Sequence, residues 1–443
     1  VFKGNIEYLT ENEIGIRLRA TQQNPSVLPA ESLYAIEHDT MDTTFRSMYQ
    51  GLYIYLSARK ERRDLLLSQR PPRFDESLDS MISRSEDDFT RIALKAKAAQ
   101  DYFLLIGPPG TGKTSCALKK MVETFHADKD AQILLLSYTN RAVDEICKSL
   151  ASIAPAVDFI RVGSELSCDE AYRGHLIENE LSSCNRRSEV YERIRNCRII
   201  VGTVAAISGK PELFRLKHFD VAIIDEATQI LEPQLLGILC ARGEDGKDAI
   251  DKFVLIGDHK QLPAVVQQNT EQSAIYDESL LSIGLTNLKD SLFERLYRNC
   301  TATVHRSYDM LCRQGRMHPE VALFANRAFY GGRLIPVGLP HQIESSDTIC
   351  RLAFYPSVPE KAGASAKINY SEARIVADLA VRIYEDHQTD FDESRTLGII
   401  TPYRSQIALI KKEIESLGIP ALNRILVDTV ERFQGSERDV IIY

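Results

Sequence analysis

Short apolar runs at 102–106, 132–137, 159–162, 198–201, 221–224 and 252–256 alternate with stretches of helical periodicity. Runs of that length, apolar on both faces, predict buried strands, and their alternation with helices predicts a parallel sheet covered on both sides. The helix after the first run shows its buried face in the spacing of Ala117, Leu118, Met121, Val122 and Phe125. The polar stretch 164–196 breaks the rhythm and is expected to be a helical insertion. A second series starts after about 310, with a helix from Glu372 to about Glu385, a strand at 396–400, a helix at Ser405–Leu417, and strands at 424–428 and 439–443. Upstream of 75 the pattern differs. Val1–Tyr8 and Glu13–Ala20 read as strands around the polar turn Thr10-Glu11-Asn12, as in a small β-barrel or hairpin. From Asp42 to about Gln69 the text is helical, with Phe45, Met48, Leu52, Tyr55 and Leu56 in helical spacing. The stretch Gln69–Asp75, with its Pro71-Pro72 pair, reads as a boundary. The expected architecture is α/β. Residues 1–75 would form a β-barrel plus helical stalk, 76–310 a first parallel-sheet domain with the insertion near 164–196, and 311–443 a second domain, C-terminally incomplete.

The chemistry is concentrated where apolar runs end. After Tyr102–Ile106 comes Gly107-Pro108-Pro109-Gly110-Thr111-Gly112-Lys113-Thr114, the GxxxxGKT pattern opening the next helix. Its glycines let backbone N–H groups turn toward phosphate oxygens, and the helix N-terminus adds positive potential. Lys113 would reach the β- and γ-phosphates of ATP, and the Thr114 hydroxyl would ligate Mg²⁺. The run Val221–Ile224 ends in Asp225-Glu226. Downstream of a phosphate loop, Asp225 is placed to anchor the Mg²⁺ and Glu226 to take a proton from the attacking water. The segment Gly257-Asp258-His259-Lys260-Gln261 follows another strand, and Gln261 has the chemistry to sense a γ-phosphate by hydrogen bonding. Arg59, Lys60, Arg62 and Arg63 form a short basic run with two readings, a solvated helix face or a nucleic-acid or phosphate contact.

Composition changes this picture little. Hydrophobic content of 44% and charged content of 26% over 443 residues describe a globular chain of about three domains, and no apolar run approaches a membrane span. Net charge is 54 − 62 = −8, so a nucleic-acid partner would have to use a local groove. The nine cysteines contain no CxxC; Cys168, Cys184 and Cys197 are the nearest grouping. Free thiols in a reducing cytoplasm, or nucleus if the source is eukaryotic, are the simpler reading, and no metal cluster is expected. The chain opens without Met or a signal segment and stops inside an apolar run, so a piece of a longer protein is expected.

Taken together, GPPGTGKT (107–114), SYTNRAVDEI (137–146), GTVAAI (202–207), IIDEATQ (223–229), GDHKQLP (257–263), RQGRMHPEVALFAN (313–326), TPYRSQ (401–406) and VDTVERFQGSERDVII (427–442) resemble the motifs of superfamily 1 helicases, in that family's order. The resemblance covers about 90–443 and is nearest the branch containing the nonsense-mediated-decay helicase and the Okazaki-fragment helicase–nuclease. Residues 1–75 are similar to the barrel-and-stalk module of the latter. The resemblance implies two tandem RecA-like motor domains, the second truncated, hydrolysing ATP between them and translocating 5′ to 3′ on single-stranded nucleic acid. DNA is favoured over RNA by the helicase–nuclease likeness. It further implies that Thr139, Asn140 and Thr203 hold the nucleic-acid backbone and that Arg316 is an arginine finger. Gln434, Gly435 and Glu437 would line the nucleotide side of the cleft. Tyr403 and Arg404 would face nucleic acid, a structural role for Tyr403 being the alternative. Two rival readings stand beside the motor: a nucleotide-dependent clamp or switch on nucleic acid, and a phosphotransferase using the same loop. The chain departs from the family at Gly315, where members carry a base-stacking aromatic, which predicts weak discrimination among nucleotide bases. Gln100 lacks the surroundings of the family's upstream glutamine motif, and the last motif, with a second γ-phosphate arginine, would follow residue 443.

Overall fold

A computed structural model describes residues 4–10, 12–18, 33–36, 43–182, 184–303, 305–343, 351–357 and 367–443. Its centre is a seven-stranded sheet, every pairing parallel, built from β3 (Tyr102–Ile106), β4 (Ile133–Ser137), β5 (Phe159–Val162), β6 (Ile199–Thr203), β7 (Phe219–Ile224), β8 (Ile250–Gly257) and β9 (Tyr308–Met310). The spatial order is β5-β6-β4-β7-β8-β3-β9. Alternation along each strand splits the apolar runs between two cores. Tyr102, Leu104 and Ile106 join one, with Leu134, Leu136, Ala222 and Ile224. Phe103 and Leu105 join the other, with Ile133, Leu135, Val221 and Ile223. Both faces are therefore roofed by helices, which is why the runs are unbroken by polar residues.

The helix Lys119–His126 buries Met121, Val122 and Phe125, and Ala117 and Leu118 precede them in a wider π-turn that begins at Lys113. The stretch 164–196 is helical as expected, with turns at Glu165–Ser167 and Glu170–His175 and helices at Ile177–Glu180 and Arg187–Asn196. Arg193 pins it with pairs to Asp158 and Glu180, each at 2.8 Å.

Ahead of the sheet, β1 (Gly4–Leu9) and β2 (Ile14–Leu18) form an antiparallel hairpin. Residues 1–3, 19 and 20 of the expected strands, and 21–32, lie outside the described residues, and these two strands are what is described of the expected barrel. The helical stretch is two helices, Thr43–Ser57 and Lys60–Leu66. The first packs on the helix Glu232–Leu239, with only part of the face expected. Phe45, Leu52 and Leu56 are exposed, while Ile54, Tyr55 and Ala58 meet the core. Gly51 selects that face: a Cβ there would sit 2.5 Å from the Pro233 carbonyl oxygen, so only glycine permits this approach. The basic run is also largely structural. Arg62 is buried, donating to the carbonyl of Ile250 at 2.5 Å and of Asp251 at 3.1 Å, and Lys60 pairs with Asp64.

Past β9, β10 (Arg313–Gln314) pairs with β11 (Ile335–Pro336) around the helix Pro319–Tyr330. The last sheet has β12 (Leu397–Ile400) between β13 (Leu426–Asp428) and β14 (Val440–Ile442), all parallel. Helices Tyr370–Asp386 and Arg404–Ser416 pack on it through Ala373, Ala377, Ala380, Ile410 and Ile414. No helix among the described residues is long and apolar enough to cross a membrane.

Candidate nucleotide and nucleic-acid site

In a parallel sheet every strand points the same way, so all βα loops emerge at one edge, the usual place for a ligand. Gly107–Thr114 follows β3, Thr139 and Asn140 follow β4, Thr203 ends β6, Asp225 and Glu226 follow β7, and Gln261 lies past the end of β8. The sheet order places β3, β8 and β7 side by side, which draws the phosphate loop, Gln261 and the two carboxylates together.

The loop is tied at its start, where the Gly107 N–H donates to the Gly257 carbonyl at 2.9 Å. Inside it, the buried Thr111 hydroxyl donates to the Pro108 carbonyl at 2.7 Å. Gly110 and Gly112 both adopt φ = 73°, a left-handed conformation natural to glycine. A Cβ on Gly107 would come within 2.7 Å of Lys113 Cβ. These bare positions leave the cradle that a triphosphate needs, and the side chains around it fit the group. Lys113 Nζ lies 2.7 Å from Glu226 Oε1. The Thr114 hydroxyl donates to Asp225 Oδ2 at 2.5 Å, so the two expected Mg²⁺ ligands are already adjacent. Asp225 is 1% exposed. Burial pushes its carboxyl up to about 6, with Glu226 adding and Lys113 opposing. Burial would lower the Lys113 ammonium, but the carboxylates of Glu226 and Asp225 overcome it and hold its pKa above the ordinary value.

Glu226 stands at φ = 53°, an uncommon conformation for a residue with a Cβ, and Gln229 Nε2 donates to its Oε2 at 3.0 Å. Gln261 donates to Asp258 Oδ2 at 2.8 Å. Arg316 arrives from the other side of the loop. The Gly315 N–H donates to the Gly110 carbonyl at 2.8 Å, and a Cβ on Gly110 would fall 2.4 Å from Arg316 Cβ. The turn carrying Arg316 therefore lies directly on the phosphate loop. Its guanidinium reaches back to the last sheet, with Nε 2.7 Å from Glu437 Oε2. Gln434 and Gly435 occupy the same loop, after the helix Val430–Phe433, with Gly435 at φ = 78°. Where an aromatic would start from position 315, a Cβ would meet Val337 and Leu339 at 3.3 Å.

Thr139 and Thr203, expected to hold nucleic acid, also cap helices. Thr139 caps the helix Asn140–Ala151 by accepting from the Ala142 N–H at 3.1 Å, and Thr203 caps Val204–Ser208 by accepting from Ala206 at 3.1 Å. Ser137 pairs with Thr203 across neighbouring strands, so the two capped helix starts lie side by side, with Asn140 half-buried at the first. Tyr403, 45% exposed, precedes the helix begun by the exposed Arg404 on the last domain.

Gln100 lies at the opposite end of β3 from the phosphate loop, its N–H bonded to the Arg73 carbonyl, about 17 Å away by strand rise. A cavity of about 740 Å³ lies at that far edge, lined by Arg59, Arg62, Arg70, Arg73, Asp101 and Lys217 among others. Part of its charge is paired within it: Asp101 takes Arg70 at 2.8 Å and Arg73 at 2.9 Å. Cys168 and Cys197 each lie near a carbonyl oxygen, of Asp169 at 3.3 Å and Ile199 at 3.2 Å, and the described cysteines are free thiols. Sequence reasoning missed Asp258, Gln229, Gln314 and Tyr330. The first three sit inside quoted motifs and were legible by position; Gln314 is buried, its side-chain oxygen accepting from the N–H of Arg316 and Met317 to shape the turn that carries Arg316.

Two family profiles, each described as an AAA domain, match this chain, one at residues 84–190 and 177–269 and the other at 288–443. The chain is similar to the DNA replication ATP-dependent helicase/nuclease of Gallus gallus, 27% identical over 441 residues covering 95% of this chain and 40% of that protein. The Homo sapiens counterpart is 28% identical over 479 residues, covering 95% and 41%. The chain thus spans about 40% of the length of these relatives. Among solved structures, an arterivirus nonstructural protein 10 (helicase) in complex with DNA aligns at TM-score 0.33 and 14% identity, covering 77% of this chain and 63% of that one. With eight motifs in order, both AAA-domain profiles and these relatives over nearly its whole length, the chain belongs to the superfamily 1 helicases.

Proposed function

We propose that this chain is the ATP-hydrolysing motor of a translocase or helicase that moves 5′ to 3′ on single-stranded nucleic acid, DNA in preference to RNA. The observation that supports it best is the convergence of Lys113, Thr114, Asp225, Glu226 and Gln261 at one sheet edge, with Arg316 laid over the same loop. Bound Mg²⁺, held by Thr114 and Asp225, would neutralise charge on the β- and γ-phosphates. Lys113 would exchange Glu226 for phosphate oxygens, which frees the Glu226 carboxylate to take a proton from water. Gln261 would orient the γ-phosphate, and Arg316 would leave Glu437 to stabilise charge on the transferring group. Gln434, Gly435 and Glu437 would carry the state of the nucleotide into the last domain. The capped helix starts at Thr139 and Thr203 would offer backbone N–H groups to phosphates, with Asn140, Tyr403 and Arg404 beside the strand; such contacts position a strand without reading it.

The test is ATP turnover with no strand, with single-stranded DNA and with RNA, followed by unwinding of a 5′-tailed duplex. Stimulation by single strands with DNA ahead of RNA is expected. Turnover indifferent to both strands would overturn the motor in favour of a phosphotransferase, and stimulation without unwinding would leave a clamp.

A further inference from the structure

Asp258 is 1% exposed and gathers donors from three directions. Gln261 Nε2 donates to its Oδ2 at 2.8 Å, and the Lys260 N–H donates to its Oδ1 at 3.0 Å. The third is the Tyr330 hydroxyl, which donates to Oδ2 at 2.7 Å across 72 residues of chain. Tyr330 is 5% exposed. Burial, then its bond to the Asp258 carboxylate, raises its phenol, so it stays a donor at any working pH.

Tyr330 also ends the helix Pro319–Tyr330, which starts three residues after Arg316 and is about 18 Å long. That helix belongs to a unit closed on itself. Asn326 donates to the Leu334 carbonyl and accepts from the Leu334 N–H, both at 2.9 Å, beside the β10–β11 pair. Gln342 Nε2 bonds the Gln314 and Met317 carbonyls, each at 3.0 Å, on the turn that presents Arg316. One end of the unit thus carries Arg316 over the phosphate loop, and the other end touches Asp258.

We propose that Tyr330 is a positioning residue for ATP hydrolysis: by holding Asp258 it fixes the Gln261 amide and ties the γ-phosphate contact to the unit that carries Arg316. This rests on the motor reading given above. The physical basis is the freedom of a glutamine amide, whose terminal torsion is broad and only roughly two-fold. With one N–H of Gln261 spent on Asp258, the remaining N–H and carbonyl face a fixed direction. Removing the phenol hydroxyl leaves Asp258 Oδ2 buried with one donor fewer, and that carboxylate re-aims Gln261. A displacement of about 1 Å at such a group costs up to about 10²-fold in rate.

The variant is Tyr330→Phe, which keeps the ring and its packing. The kcat for ATP hydrolysis with saturating single strand is expected to fall at least tenfold, with KM for ATP changing less than twofold. In a Gln261→Ala background the same change should cost less than twofold further, because the group it positions is gone. A merely structural role would lower the rate by the same factor in both backgrounds, and that result overturns the proposal, as does parental kcat in Tyr330→Phe. Should Tyr330→Phe not fold, Asp258→Ala carries the same comparison, since it removes the shared acceptor. A parent protein without ATPase activity would overturn the motor reading and this proposal together; an active parent with an unchanged variant overturns only the proposal.

Discussion

Glu226→Gln separates the chemistry of this site from its architecture. The carboxylate has two commitments, Lys113 Nζ at 2.7 Å and Gln229 Nε2 at 3.0 Å. Glutamine keeps the length and an acceptor for Gln229, and it carries the same backbone cost at φ = 53°. What it removes is a base and a charge. Loss of the base should lower single-turnover hydrolysis by ~10²–10⁴-fold. Loss of the charge should act on binding in the opposite sense. Lys113, paired with Glu226, would have to leave it to meet a phosphate. At 2.7 Å and an effective dielectric of about 20, the gross attraction is 332/(20 × 2.7), about 6 kcal/mol. Most of that returns when the ammonium meets phosphate oxygens. Retention of even a sixth as net cost would make the parent bind about fivefold more weakly than the variant. The expectation is therefore slower hydrolysis with equal or tighter binding of Mg-ATP, read by quench-flow and by titration with a fluorescent nucleotide. Parental turnover would refute the base assignment. Binding tenfold weaker would show instead that the Glu226 charge holds the loop in shape.

Two further outcomes follow from buried charge. Asp225, pushed up to about 6 from 3.8 by burial, holds a proton in the native state between those values that the unfolded chain does not. This group therefore stabilises the fold as pH falls through about 6 and costs stability above it, while Mg²⁺ needs the ionised form. Mg²⁺-dependent nucleotide binding should weaken about tenfold per pH unit below 6, and a flat Mg²⁺ titration series from pH 5 to 7 would contradict it. Arg295 is fully buried, its Nε 2.9 Å from Glu232 Oε2 and its Nη2 2.8 Å from the Leu66 carbonyl. Arg295→Met should lose about 3–5 kcal/mol in urea unfolding by stranding Glu232, and Glu232→Leu in the same chain should recover most of it; a loss under about 1 kcal/mol would show that the pair is dispensable.

The parts legible in the sequence are those where one physical cause acts alone. Strands β3, β4 and β7 are buried on both faces, and nothing else produces apolar runs such as Ile133–Leu136 or Val221–Ile224 so close to polar and carboxylate breaks. β9 was not legible because Tyr308-Asp309-Met310 is short, lies at an edge and pairs its Asp309 with Lys95 at 2.6 Å, so it shows no apolar run. The helix Thr43–Ser57 was legible, but its packing face was not, for the opposite reason. Tyr49, Leu52, Tyr53, Ile54, Tyr55 and Leu56 put apolar groups on every side, and a glycine at 51, not the periodicity, decides which side packs. Arg62 could not be told from a solvated cation, since its partners are carbonyls some 188 residues away. The expected site residues were placed by position inside motifs, and Asp258 and Gln314 stand in the same motifs; the contact of Tyr330 with Asp258 joins segments 72 residues apart, which no spacing encodes.

The two cations proposed for the phosphates are each paired with a carboxylate of this chain, but the two pairs differ in kind. Lys113 and Glu226 are 16% and 14% exposed and both follow strands of the first sheet, so breaking that contact is the costly exchange and only a multiply charged ligand in the cradle can offset it. Arg316 and Glu437 are 35% and 68% exposed, and their contact joins the turn on the phosphate loop to the loop ahead of β14. An exposed pair of that sort is worth about 0–1 kcal/mol and is screened by salt. The link between Arg316 and the last domain is thus the weaker of the two. The motor proposed above, opening and closing a cleft, would need that inequality: nucleotide would have to displace Glu226 to bind at all, whereas Arg316 would pass from Glu437 to phosphate and back at little cost, once per turnover. On this reading raised salt should loosen the two domains in the ligand-free protein well before it disturbs Lys113.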